Sequence, residues 1–216
     1  MPPKSTPKKN APWLTFRRAL GIVGLVGVVL IAVSILTSGK MPFSSSKAPQ
    51  NIKNPEAPLA TFYAPGVLYW RNQIQHWAQE YDLNPNVIAI IMQMESCGDP
   101  LAISGAGAIG IMQVMPFNFQ NGDNMLDPDT NVRRGMAHLE SCLAFAEWDM
   151  GGALACYNGG FVAPSQWANE TQRYYYWGTG LWQDVMNGSE TSATLEEWLT
   201  YGQPLCTNAL QNQTSP

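Results

Sequence analysis

Residues 84–116 read NPNVIAIIMQMESCGDPLAISGAGAIGIMQVMP. Asn84 carries the short acceptor that caps a helix, Pro85 suits a first turn, and Val87, Ile88, Ile91 and Met94 recur at helical spacing. Gly98 and Pro100 end the helix, since neither continues one. Glu95 lies four positions after Ile91 and seven after Ile88, so it continues the apolar stripe and points a carboxylate toward the core. Glu is seldom buried without a partner, and no Lys or Arg occurs between Arg71 and Arg133 to pair with it locally. Apolar surroundings and the negative end of the helix dipole both disfavour the charged form, which suits a general acid near neutral pH. A face assignment wrong by one position would instead make Glu95 a solvated residue at a helix end, and periodicity alone does not separate the two readings.

Downstream, Asp127 and Pro128 open a helix with Val132, Met136, Leu139, Leu143 and Ala146 on one face, which Gly151-Gly152 should interrupt. A short apolar helix follows around 153–157. Another opens at Asn169, where Gln172 stands three residues on as in a capping box. Gly178 and Gly180 fall inside that last pattern and each costs about 1 kcal/mol relative to Ala. Upstream, Leu68, Ile74 and Trp77 suggest an amphipathic helix over 67–81. Alternating strand runs and internal repeats do not stand out, so the pattern predicts an all-α, mainly helical domain over 61–187.

The flanks differ in kind. Residues 1–40 hold six Lys/Arg and no acid, whereas 41–216 hold six Lys/Arg against all sixteen Asp/Glu, giving charges of +6 and −10. So acidic a main domain would repel nucleic acid, whose binding rests on cations. Ala19–Gly39 is an uncharged run of 21 residues, enough for a helix crossing about 30 Å of hydrocarbon. It is longer than the apolar core of a cleaved signal peptide and runs on to Thr37-Ser38-Gly39-Lys40, so a single transmembrane helix is expected after a basic cytoplasmic arm over 1–18. Residues 40–60, rich in Pro and Ser, read as a flexible linker, and 188–216 as a weakly structured C-terminal tail.

The four cysteines fall in the part placed outside the membrane, where disulfides persist. Cys142 and Cys156 lie on either side of the Gly151-Gly152 break, so a helical hairpin could join them and leave Cys97 with Cys206; other pairings remain open. Neither CxxC nor Cys/His ligand spacing occurs, and His76 and His138 stand alone, so no metal or cofactor is expected.

The run Glu95-Ser96-Cys97-Gly98-Asp99-Pro100-Leu101-Ala102-Ile103-Ser104, followed by Gly107-Ala108-Ile109-Gly110-Ile111-Met112-Gln113 and Met115-Pro116, resembles the catalytic signature of the lytic transglycosylase (SLT) domain. Asp127-Pro128 with Asn131-Val132 and Gly135, then Ala155-Cys156-Tyr157-Asn158, then Glu170-Thr171-Gln172-Arg173-Tyr174, resemble that family's later motifs in order. The resemblance spans roughly 66–178. Ile111 stands where Leu is usual, and Cys97 and Cys156 replace residues of other kinds.

This resemblance implies a lysozyme-like fold and a peptidoglycan lytic transglycosylase, which the expected transmembrane helix would hold at the cell membrane. Such an enzyme cleaves the β-1,4 bond between N-acetylmuramic acid and N-acetylglucosamine to leave 1,6-anhydromuramic ends. It makes Glu95 the acid toward the glycosidic oxygen and then the base toward the sugar's 6-hydroxyl. Ser96 would hold the helix end or meet the sugar, Met112 and Gln113 would line the cleft, Tyr157 and Asn158 would touch the glycan, and Tyr174 would bond near Glu95. Most glycosidases need two carboxylates, whereas a substrate hydroxyl acting as nucleophile needs one. The alternatives are a goose-type lysozyme-like hydrolase recruiting Asp99, Asp123 or Asp127, and an inactive glycan-binding or scaffold module.

Overall fold

A computed structural model describes residues 51–214. The basic arm and the apolar run over 19–39 lie outside these residues, and among the described ones no helix is long and apolar enough to cross a membrane. From residue 65 on, the described residues form the helices α1 (Pro65–Leu68), α2 (Arg71–Glu80), α3 (Pro85–Glu95), α4 (Pro128–Phe145), α5 (Met150–Gly159), α6 (Asn169–Met186) and α7 (Ala193–Thr214). Among the described residues β structure is limited to two antiparallel bridges, Ile103 to Ile109 and Ile109 to Val114, in the loop between α3 and α4.

α3 is the axis of the domain. Every residue from Pro85 to Met94 is buried, so it is apolar all round rather than amphipathic. Its start is held as the sequence indicates, the Asn84 side chain accepting from the Asn86 amide at 3.0 Å. α2 and α6 pack on it, α5 lies between α4 and α6, and α7 covers α1 and α6. Val132, Met136, Leu139 and Leu143 of α4 face the core as their spacing predicts.

Five expectations need correction. Residues 51–60 are docked rather than free: Ile52 is buried, the Asn84 side chain donates to the Asn51 carbonyl, and the Asn86 amide group donates to Pro58 while its oxygen accepts from the Ala60 amide. Secondly, α4 ends at Phe145, and Asp149 caps α5 through the Gly152 amide at 2.7 Å. Gly151-Gly152 therefore sits inside the first turn of α5, where a Cβ on Gly151 would meet Tyr175 and Thr179 at 2.6 Å; the pair serves close packing, not interruption. Thirdly, α6 is preceded by Ala168 at its cap, with Asn169 already helical. Fourthly, the segment over 67–81 is two helices, α1 and α2, not one.

Lastly, residues 193–214 form a helix of 22 residues despite Pro204, and bury Leu195, Trp198, Cys206 and Ala209 against the domain. Its polar composition hides a thin apolar stripe. Both disulfides follow the expected pairing, Cys97–Cys206 with Cα atoms 4.9 Å apart and Cys142–Cys156 at 5.5 Å.

Candidate active site

α3 ends where the chemistry begins. Glu95 is its last residue and is half-buried, between the buried Met94 and Ser96. Burial pushes its carboxyl up to about 8; the Tyr174 hydroxyl partly offsets this, and the charge of Glu170 adds to it. Tyr174, two turns into α6, is buried, and its hydroxyl has no partner at full hydrogen-bonding distance although it lies close enough to Glu95 to hold that pKa down. A buried donor facing a half-open carboxyl is costly unless something else completes it. Burial and the same carboxylate push the Tyr157 and Tyr174 phenols well above 10.

The other expected residues divide into those that hold the loop and those with atoms to spare. Ser96 is wholly buried; its hydroxyl donates to the Ile111 carbonyl at 2.7 Å and accepts from the Gly98 amide at 3.1 Å, which ties the helix end to the returning loop. Met112 is equally buried and packs as core. The Tyr157 hydroxyl donates to the Met112 carbonyl at 2.9 Å, so it is spent on the loop. Gln113, in a left-handed conformation at φ +47°, gives its amide nitrogen to the Ala102 and Gly110 carbonyls, and its side-chain oxygen makes no hydrogen bond among the described residues. Asn158 accepts from the Thr171 hydroxyl at 2.9 Å and is half-buried.

The acids named for a hydrolase are otherwise engaged. Asp99 bonds the Asn212 side chain, Asp123 pairs with Arg133 and Arg134, and Asp127 caps α4 through the Thr130 amide. The carboxylate whose charge does reach Glu95 is Glu170, exposed in the first turn of α6, a residue quoted in the motif but given no role. Among the described residues no three metal-ligating side chains converge.

Asn131 is the residue whose importance sequence reasoning missed. Fully buried on α4, it accepts from the Met112 amide at 2.8 Å and donates to the Ile109 and Met125 carbonyls at 2.8 and 2.9 Å. Gly110, at φ +78°, lies so close to this amide that no side chain fits there. One side chain thus sets the Gly-rich loop that carries Met112 and Gln113. Asn131→Ala takes the partner from the buried Met112 amide and from the Met125 carbonyl, while the Ile109 carbonyl keeps the Val114 amide; it is expected to cost about 2–3 kcal/mol, measured by urea unfolding, and to weaken activity through the displaced loop. Unchanged stability would overturn the role given to it.

With this geometry in view, the model of the transglycosylase SLT domain matches residues 72–178. The chain carries a transglycosylase SLT domain. The transglycosylase of Enterobacteria phage PRD1 is 35% identical over 111 residues, which cover 50% of this chain and 41% of that protein. The membrane-bound lytic murein transglycosylase C of Haemophilus influenzae (strain PittEE) is 35% identical over 79 residues, 31% of this chain and 22% of that protein. The chain therefore spans less than half the length of these relatives. A crystal structure of the lytic transglycosylase Slt of Pseudomonas aeruginosa aligns at 22% identity with a TM-score of 0.39, over 68% of this chain and 24% of that one. The matched SLT domain ends within α6, so α7 and its disulfide to Cys97 lie beyond the family's own boundary.

Proposed function

We propose that this chain is a membrane-anchored peptidoglycan lytic transglycosylase, with Glu95 as acid and then base. The observation that carries the reading is the position of the Glu95 carboxyl, half-buried at the end of α3, where burial pushes its pKa up to about 8 and so favours the protonated acid near neutral pH. Glu95 gives its proton to the oxygen between N-acetylmuramic acid and N-acetylglucosamine as that bond breaks. The resulting carboxylate takes the proton of the sugar's 6-hydroxyl, whose oxygen closes on the anomeric carbon as a 1,6-anhydro ring. The Tyr174 hydroxyl is placed to donate to Glu95 while it is charged, and Gln113 and Asn158 present the spare polar atoms that would meet the glycan. Ser96, Met112 and Tyr157 act behind them, holding the loop. No metal or cofactor takes part in this scheme.

Glu170 gives the hydrolase reading its candidate, because a second carboxylate felt by the first could activate water. Digestion of purified sacculi in ¹⁸O-water separates the two. Anhydro ends without label are expected, whereas labelled reducing ends with no anhydro sugar would move the enzyme to hydrolysis.

The anchor rests on Ala19–Gly39 and its basic flank, which place the N-terminus in the cytoplasm and the SLT domain outside. The name of the Haemophilus relative is in keeping with it. Protease added to spheroplasts should remove the domain and leave a short membrane-bound stub. A soluble, processed protein in the medium would mean cleavage instead.

A further inference from the structure

Away from Glu95, the outward strip of α4 forms one wall of a cavity of about 390 Å³. Arg133, Ala137 and Glu140 follow one another along that strip at helical spacing, so a cation and an anion stand two turns apart with only a methyl group between them. The end of α2 lines it too, with Glu80 and the adjoining Tyr81, as do Lys53 and Trp148. The floor is apolar, with Met136 and Leu143 buried beneath the strip.

Three features mark this as a built site. Glu147 and Trp148 are consecutive non-glycine residues in the left-handed region, at φ +51° and +63°, a conformation that is an outlier for a bulky side chain and that turns the indole into the cavity. The Lys53 ammonium lies 5.0 Å from the centre of that ring, so the indole face already holds a cation. Glu140 makes no ion pair or hydrogen bond among the described residues, while Arg133, although paired with Asp123 at 3.3 Å, is exposed and has donors left over. The volume sits at the lower end of the range for small-ligand pockets, which is about 300–1,000 Å³.

We propose that this cavity binds a zwitterionic α-amino-acid group, its carboxylate on Arg133 and its ammonium on Glu140, with the aliphatic part on the apolar floor. Such a group could be supplied by a free amino acid or by the side-chain end of a murein stem peptide carrying diaminopimelate. None of the lining residues belongs to the candidate active site; the stem-peptide source rests on the peptidoglycan reading above, and the free amino-acid source does not.

The test is calorimetric titration of the full chain in detergent with two probes, free meso-diaminopimelate and L-alanyl-γ-D-glutamyl-meso-diaminopimelate. Saturable binding of both is expected for a free amino-acid site, and of the tripeptide alone for a stem-peptide site. Arg133→Gln and Glu140→Gln, both exposed positions on a helix surface, should fold normally by circular dichroism and each weaken binding by about tenfold or more, the weight of one charge-assisted hydrogen bond. Probes N-acetylated at the distal amine should not bind. No saturation of either probe up to about 10 mM, a range weaker than any working site, would overturn the proposal. Binding unaltered by both substitutions, or by acetylation, would overturn it equally.

Discussion

Glu95→Gln is expected to lower the rate of glycan cleavage by about 10²–10⁴, the usual weight of a positioned general acid. The folded protein should survive the change and gain stability at neutral pH. Folding raises the Glu95 carboxyl from its ordinary value of 4.5 to about 8, so between these values the folded protein holds a proton that the unfolded chain has released. Wild-type stability is therefore fully retained below about 4.5, falls as pH rises through this window, and levels off above about 8. Glutamine cannot ionise and does not share that loss. Allowing for the partial exposure of Glu95, the variant should gain about 1–3 kcal/mol relative to wild type between the two ends of the window. Urea unfolding of both proteins at pH 5 and pH 8 measures it. Activity of the wild type should fall as pH passes about 8, because only the protonated carboxyl can deliver a proton. Full activity in the variant would sink the assignment of Glu95, and parallel stability curves would show that the carboxyl is not buried in the way described.

How far the sequence could be read depends on whether a residue's role is local. α3 was legible because its cap, its apolar positions and its stop all lie within fifteen residues, and Glu95 stood out as a charge in an apolar stripe. The Cys142–Cys156 bridge was legible for the same reason, since its partners flank one helical hairpin. Asn131 was not, because its three bonds go to Ile109, Met112 and Met125, and nothing in its own surroundings marks it as buried. Gly151 misled because a glycine that breaks a helix and a glycine that lets Tyr175 approach look alike in sequence. Residues 51–60 and 193–214 were undervalued because each docks through a few apolar contacts spread among polar residues, Ile52 in the first and Leu195, Trp198, Cys206 and Ala209 in the second. Composition averages such stripes away. The Tyr157 hydroxyl was misread for the reason that hid Asn131, since its bond goes to the distant Met112 carbonyl, whereas holding the helix end was one of the two roles read for Ser96.

The Cys97–Cys206 bridge should be the larger of the two covalent contributions to stability. It joins residues 109 apart, whereas Cys142–Cys156 joins residues 14 apart. Loop closure in the unfolded chain makes the longer link worth about 4–5 kcal/mol and the shorter about 3. The longer bridge also works locally. It fixes α7 to the turn just after Glu95, where the Gln213 amide donates to the Gly66 and Gly98 carbonyls and Asn212 bonds Asp99. Trp70 donates to the same Gly98 carbonyl, and the buried Gln93 amide lies against both sulfurs. Removing the bridge therefore frees the C-terminal helix and loosens the turn that follows Glu95, so activity should fall together with stability. Replacing Cys97 and Cys206 with Ala should lower the urea midpoint more than replacing Cys142 and Cys156, and only the first pair should open α7 to hydrogen exchange while α3 remains protected. If the Cys142/Cys156 double variant were the less stable, or if α7 stayed protected without Cys206, the helix would be held by its apolar stripe and the bridge would be incidental to it.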